Sequence, residues 1–270
     1  MSDGAPPTPS PATRFSDRVA DYVRYRPRYP ASLRTVLEEM GALGPASVVA
    51  DLGSGTGISA QLLLDAGHTV YGVEPNAAMR AAAEGELVAY PRFHSREGSA
   101  EATTLADHSV DLVFAAQAFH WFDVEACRKE WARILRPPGT GAAGGGWIAL
   151  VWNSRRTDTT PFLRAYEALL HDYGTDYGAV NHQDLDYAAL RSLFTPESYQ
   201  RRSLDNHQDL DREGFFGRVF SSSYTPAADH PGRGAMEAAL DRLFAQHQAA
   251  GTVRLEYEVE IHGGRLCSEI

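Results

Sequence analysis

The stretch Ser47-Val48-Val49-Ala50-Asp51-Leu52-Gly53-Ser54-Gly55-Thr56-Gly57-Ile58 decides the fold. Its apolar opening predicts a buried parallel strand, and the Gly-x-Gly-x-Gly turn lets the backbone reverse sharply and approach a ligand with no Cβ in the way. Past the turn, Ile58, Leu62, Leu63 and Ala66 recur at helical spacing, which sets a helix N-terminus and its unused N–H groups against the turn. A strand, a glycine turn and a helix in that order form a loop suited to a nucleotide-type cofactor.

One βα unit later, Thr69-Val70-Tyr71-Gly72-Val73-Glu74 predicts a second strand that ends in an acid, just ahead of Pro75 and the N-cap Asn76. An acid about 20 positions beyond a glycine turn is placed to accept hydrogen bonds from ribose hydroxyls at the carboxyl edge of a parallel sheet. Two cofactor classes use that arrangement. A dinucleotide fingerprint wants Gly-x-Gly-x-x-Gly, and Gly57 comes one place too early for it, which disfavours a nicotinamide cofactor.

Asp51-x-Gly53-x-Gly55-x-Gly57 with Glu74 instead resembles the class I S-adenosylmethionine-dependent methyltransferases. The resemblance extends through Gly98-Ser99-Ala100-Glu101 after the third strand, and Val110-Asp111-Leu112-Val113-Phe114-Ala115 as the fourth. Arg133-Ile134-Leu135-Arg136-Pro137-Pro138-Gly139 and the strand Trp147-Ile148-Ala149-Leu150-Val151-Trp152 continue it. Gln117-Ala118-Phe119-His120-Trp121-Phe122-Asp123, with Phe15, Ala20, Tyr22, Arg26, Pro27, Tyr29 and Pro30 upstream, is similar to a subgroup containing trans-aconitate methyltransferase-like and methyltransferase type 11 proteins. The match is strong over 14–152 and loose elsewhere.

The resemblance implies S-adenosyl-L-methionine as cofactor and a set of roles around it. Asp51 shapes the loop; Gly53, Ser54 and Gly55 face the methionine part; Tyr22 and Arg26 clamp its carboxylate and cover the sulfonium. Glu74 takes the ribose, Asn76 and Met79 flank the adenine, Ala100 and Glu101 meet its edge, and Pro75 belongs to the same cofactor-binding set. Gln117, His120 and Trp121 lie just past the fourth strand, where a doubly wound sheet opens onto its crevice. His120, whose ordinary pKa is near neutrality, is the candidate catalytic base, and with Trp121 the candidate acceptor-binding pair; a histidine that only hydrogen-bonds the cap fits the same residues.

The implied fold is α/β: a doubly wound, Rossmann-like seven-stranded sheet, mostly parallel with an antiparallel edge, plus an amino-terminal helix and a helical cap. Residues 1–13, with Pro6, Pro7, Pro9 and Pro11 and no apolar segment, read as a disordered arm rather than a signal peptide. Residues 14–152 read as the cofactor-binding core, opening with a helix over 12–25 that carries Phe15, Val19 and Tyr22 on one face. Val124, Cys127, Trp131, Ile134 and Leu135 predict a helix stopped by Pro137 and Pro138. The glycine-rich 140–146 reads as a mobile surface loop without chemistry.

Residues 153–250 read as the cap and sixth strand: helices over 160–173, 187–194, 212–222 and 235–249, with a weak strand over 199–208. Phe162, Tyr166, Tyr173, Tyr177, Tyr187 and Phe194 enrich this region in aromatics, which suits a small, partly apolar acceptor. Residues 251–270 hold the last strand, whose apolar and charged residues alternate from Val253 to Ile261, and a tail.

The net charge of −10 opposes binding of a nucleic-acid backbone, and no run of 18 apolar residues marks a membrane span. Cys127 and Cys267 are the only cysteines, so neither a disulfide framework nor a Cys-x-x-Cys metal signature exists. The expectation is a cytoplasmic enzyme that moves a methyl group to oxygen, nitrogen, sulfur or carbon of a small molecule by in-line displacement, with no metal, nucleic-acid or membrane partner. Oligomeric state leaves no trace in the sequence. An S-adenosylmethionine-binding protein with non-methylating catalysis or regulation is the alternative, and a nicotinamide-dependent oxidoreductase the remote one.

Overall fold

In a computed structural model, residues 19–175, 177–179 and 187–267 are described. The arm over 1–13 and the start of the first helix lie outside them. A seven-stranded sheet runs in the order β3-β2-β1-β4-β5-β7-β6. Its strands are β1 (Val48–Leu52), β2 (Thr69–Val73), β3 (Phe93–Arg96), β4 (Leu112–Ala116), β5 (Trp147–Arg155), β6 (Gln200–Leu210) and β7 (Val253–Arg265). The first five are parallel; β7 pairs antiparallel with both β5 and β6. This is the expected mixed sheet with an antiparallel edge.

Period-two alternation divides the sheet's side chains between two cores. Ala50, Leu52, Val113, Ala115, Ile148 and Leu150 bury one face against Cys127, Trp131 and Ile134 of helix α5 (Val124–Ile134). Val49, Val70, Leu112, Phe114, Ala149 and Val151 bury the other against α2 (Ser32–Glu39) and α3 (Ile58–Asp65). Helix α2, which the sequence reading passed over, supplies Leu33 and Leu37, both fully buried. Helices α1 (Val19–Tyr25) and α4 (Ala77–Glu86) complete the core domain.

Strands β5, β6 and β7 are longer than β1–β4 because antiparallel pairing carries them past the parallel carboxyl edge: β5 pairs with β7 from Trp147 with Arg265 to Arg155 with Tyr257, and β6 with β7 as far as Leu210 with Val253. That projecting ribbon carries the cap. Val253, Leu255 and Tyr257 pack under α6 (Pro161–Tyr173), α8 (Arg212–Phe220) and α9 (Arg233–His247), where Phe162, Tyr166, Phe215 and Leu240 form a third core. Helix α7 (Tyr187–Ser192) instead inserts Leu190 into the first core.

Two expectations need amendment. The weak strand over 199–208 is an eleven-residue edge strand; most of its positions face solvent or are half-buried, so the polar residues that blurred its pattern cost nothing there. The glycine-rich loop over 140–146 is tied to the sheet's amino edge: buried Asp111 accepts from the Ala142 N–H (3.0 Å), the Val48 N–H (2.8 Å) and Arg136 (2.8 Å), while Arg265 donates to the Gly144 carbonyl (2.8 Å). Asp111 is therefore an anchor at the end of the sheet opposite the glycine turn.

Candidate functional site

The glycine turn between β1 and α3 works by backbone shape. Gly53 sits at φ +66°, and a Cβ there would lie 2.6 Å from the Ala118 Cβ; Gly55, at φ +56°, has open space where its Cβ would stand. Gly53 is closed in by the neighbouring strand turn, and Gly55 is open toward the cavity that it lines. Beneath the turn, Asp51 is fully buried and accepts from the Ser59 hydroxyl at 2.7 Å, while its other oxygen has no partner. Burial pushes its carboxyl up to about 7, opposed by the Ser59 bond and assisted by the nearby Glu74 charge.

Glu74, at the end of β2, bridges two backbone segments: one carboxylate oxygen accepts from the Gly55 N–H (3.0 Å), the other from the Asn76 N–H (2.9 Å). Burial raises its pKa against those two bonds and the Arg80 charge. Asn76 in turn caps α4, accepting from the Ala78 and Met79 N–H groups. Glu101 accepts from the Asp123 N–H (3.0 Å), and the Ala100 carbonyl from Trp131 Nε1 (3.0 Å), so the loop after β3 is locked onto α5. At the end of β4, Gln117 takes φ +59°, a strained value for a side-chain-bearing residue, and donates to the Asn153 carbonyl (2.9 Å). His120 and Trp121 follow in a single 3-10 turn, with ring centroids 4.9 Å apart.

A cavity of about 840 Å³ opens along this rim. Of the residues singled out from sequence, Arg26, Gly53, Ser54, Gly55, Glu74, Pro75, Met79, Ala100, Glu101, Gln117, His120 and Trp121 line it. Asp51 and Asn76 do not; they support the lining from behind. Tyr22 lies in α1, but its side chain is outside the described residues. Helix α1 reaches the cavity by docking on α8: Arg24 pairs with Glu213 (2.7 Å), Tyr25 lies where Gly217 has no side chain, and Arg26 donates to the Ser221 carbonyl (3.2 Å).

Of the cap aromatics singled out from sequence, Tyr177 and Tyr187 line the far half of the cavity; the rest of that half was missed. Trp152, Asn153 and Arg155 from β5, Arg218 from α8, Tyr224, and Tyr257 and Glu260 from β7 all line it. Arg155 is neutralised by Glu167 and also donates to the Tyr177 hydroxyl (2.9 Å). Burial pushes the Tyr224 phenol up, but Arg218, a Ser222 hydrogen bond, Arg26 and Arg155 outweigh it and bring its pKa below the ordinary value. A signal existed for Arg155, at the carboxyl end of a strand, and a weaker one for Arg218, a lone cation in the apolar run Phe215-Phe216-Gly217-Arg218-Val219-Phe220. Three buried polar atoms of lining residues, Thr56 Oγ1, Trp152 Nε1 and Asn153 Nδ2, have no hydrogen-bond partner among the described residues, as fits a surface that a polar ligand completes. Among the same residues no cluster of His, Cys, Asp and Glu is arranged to hold a metal, and no helix is long and apolar enough to cross a membrane.

The sheet order, the glycine turn and the acid ending β2 are the arrangement expected from the resemblance to class I S-adenosylmethionine-dependent methyltransferases, and the comparisons with known proteins point the same way. Residues 50–143 match the family model described as a methyltransferase domain. The chain is similar to an uncharacterized methyltransferase-like protein of Schizosaccharomyces pombe, 33% identical over 163 residues that make up 60% of this chain and 59% of the relative. It is also similar to an uncharacterized methyltransferase of Mycobacterium tuberculosis, 38% identical over 143 residues, 52% of each chain. The chain thus spans between half and six-tenths of these relatives' length. Among solved structures, a candidate type II methyltransferase from Anaeromyxobacter dehalogenans shares the fold, with a TM-score of 0.63 at 24% identity over 89% of this chain and 98% of that one.

Proposed function

We propose that the protein transfers the methyl group of S-adenosyl-L-methionine to a small-molecule acceptor. One observation carries this reading: a single cavity runs from the Gly55 and Glu74 rim, past Gln117, His120 and Trp121, into a chamber roofed by the cap. Its volume falls within the roughly 300–1,000 Å³ common for small-ligand sites.

The residues fit an adenosyl cofactor. Glu74 keeps lone pairs for ribose hydroxyls, Pro75, Met79, Ala100 and Glu101 form the adenine pocket, and Gly53, Ser54 and Gly55 offer backbone to the methionine end, with Arg26 for its carboxylate. Bound there, the cofactor supplies a methyl group on a positively charged sulfur, which an acceptor lone pair displaces in line while the S–CH₃ electron pair stays with the thioether. The protein positions the acceptor and excludes water, an effect worth about 7–11 kcal/mol in well-oriented reactions. When the accepting atom must lose a proton, His120, which lines the same cavity, is the group to orient it or take the proton.

The test is incubation with methyl-labelled cofactor and a fractionated extract of small molecules, with protein and nucleic acid as competing acceptors. Label in a small organic product supports the reading, and label only in polymer overturns it. S-adenosylhomocysteine should raise the melting temperature; a rise with NADH instead would point to the oxidoreductase.

A further inference from the structure

Every carboxylate that lines the capped chamber has a partner. Glu167 pairs with Arg155, and Glu260 with Arg201 (2.5 Å) and His262 (3.0 Å). Arg218 stands differently. It is 5% exposed and lines the cavity, yet no carboxylate stands within 4.0 Å of it among the described residues. Its surroundings are hydroxyls: Nε donates to the Tyr257 phenol (3.3 Å) and one terminal nitrogen to Ser222 (3.0 Å), leaving the other terminal nitrogen with no acceptor among the described residues.

Burying a guanidinium without a countercharge costs several kcal/mol, and proteins ordinarily relieve that cost with a carboxylate. Here the Tyr257 phenol accepts from the cation, and the phenols of Tyr224 and Tyr166 lie near enough to influence it. They stabilise it by dipole while leaving its charge unspent. In a chain of net charge −10, where acids are plentiful, one wholly buried positive charge facing a cavity marks a place for an anion brought in from outside.

We infer that Arg218, with Tyr224 and Tyr257 beside it, is an anchor for an oxyanionic group on the methyl acceptor: a carboxylate, sulfonate or phosphate monoester. The inference deepens the methyl-transfer reading and rests on it. A single unbalanced charge suits a monoanion best. The anchor explains why the acceptor end of the cavity is polar beneath an aromatic cap, and it orients the acceptor by a group other than solvent-exposed surface.

Calorimetric titration of the full chain saturated with S-adenosylhomocysteine tests this, with benzoate, phenyl phosphate and the uncharged isostere benzamide as probes. At least one anion should bind in the millimolar range or tighter, and benzamide about tenfold more weakly or not at all. Benzoate against phenyl phosphate distinguishes a carboxylate from a phosphate anchor. Arg218→Met should lose about tenfold or more in anion affinity, and Arg218→Lys should recover part of it, with S-adenosylhomocysteine affinity within about twofold of the parent in both. Equal binding of benzoate and benzamide, no saturable anion binding, or full anion affinity in Arg218→Met each overturns the anchor. Should Arg218→Met not fold, the benzoate and benzamide comparison on the unaltered protein decides alone. Failure of S-adenosylhomocysteine to bind, measured first on the same samples, would count against the methyl-transfer reading, whereas normal S-adenosylhomocysteine binding without anion selectivity defeats only the anchor.

Discussion

Replacing Glu74 with Ala removes the one side chain that joins the glycine turn to the start of α4. Its carboxylate accepts from two backbone N–H groups, at 3.0 and 2.9 Å, and each oxygen keeps a lone pair that a ribose hydroxyl can use. A hydrogen bond to a charged group is worth about 1.5–3 kcal/mol net, so two would contribute about 3–6 kcal/mol. The burial that raises the Glu74 pKa shows that its charge is held against a desolvation cost, which lowers the net gain to about 2–4 kcal/mol. The expected loss in S-adenosylhomocysteine affinity is therefore about 30- to 700-fold. Glu74→Gln, which keeps one acceptor oxygen but sets an amide donor against the other N–H, should fall between. Calorimetry at about pH 8 measures both, with urea denaturation to confirm an intact fold. In the parent, affinity should also fall as pH drops through the raised Glu74 pKa, because protonation removes a charged acceptor, and the alanine variant should lack that fall. Affinity of Glu74→Ala within about twofold of the parent in a folded protein would remove Glu74 from the site.

His120→Ala should lower turnover about a hundredfold while S-adenosylhomocysteine affinity changes little; equal turnover would reduce His120 to a lining residue. Asp51→Asn tests the buried carboxyl. With the folded pKa raised from 3.8 to about 7, the Asp51 contribution to stability is full below the ordinary pKa and is lost as pH rises to about 7, by an upper bound of about 4 kcal/mol. The variant should thus gain stability relative to the parent between about pH 4 and about pH 7 in urea denaturation, and a constant difference would refute the shift. Gly53→Ala, forced to keep φ +66° with its Cβ 2.6 Å from Ala118, should cost about 1–3 kcal/mol and weaken cofactor binding; a neutral result would show that the turn yields easily.

The rim was legible in the sequence because its geometry is local. The Gly55 and Asn76 bonds to Glu74 join neighbouring βα units, and a positive φ at Gly53 or an N-cap at Asn76 is a property of residue type at a position. Asp111 and the loop over 140–146 were harder to place, since the tie between them is made across the sheet's amino edge. β6 was half-read because its residues face water at an edge and owe their strand to β7.

From the sequence alone came the strand, turn and helix, the acid that follows, the run of parallel strands and the alternating last strand. Each is set by backbone preference or side-chain period within a few residues. The tertiary structure alone decided the far half of the cavity, because Arg155, Arg218, Tyr224 and Tyr257 come from separate elements and meet only once antiparallel pairing has carried β5 and β7 beyond the carboxyl edge and the cap has packed on them. A buried charge takes its meaning from what surrounds it, and no stretch of chain around Arg218 records that phenols, and among the described residues no paired carboxylate, stand beside it.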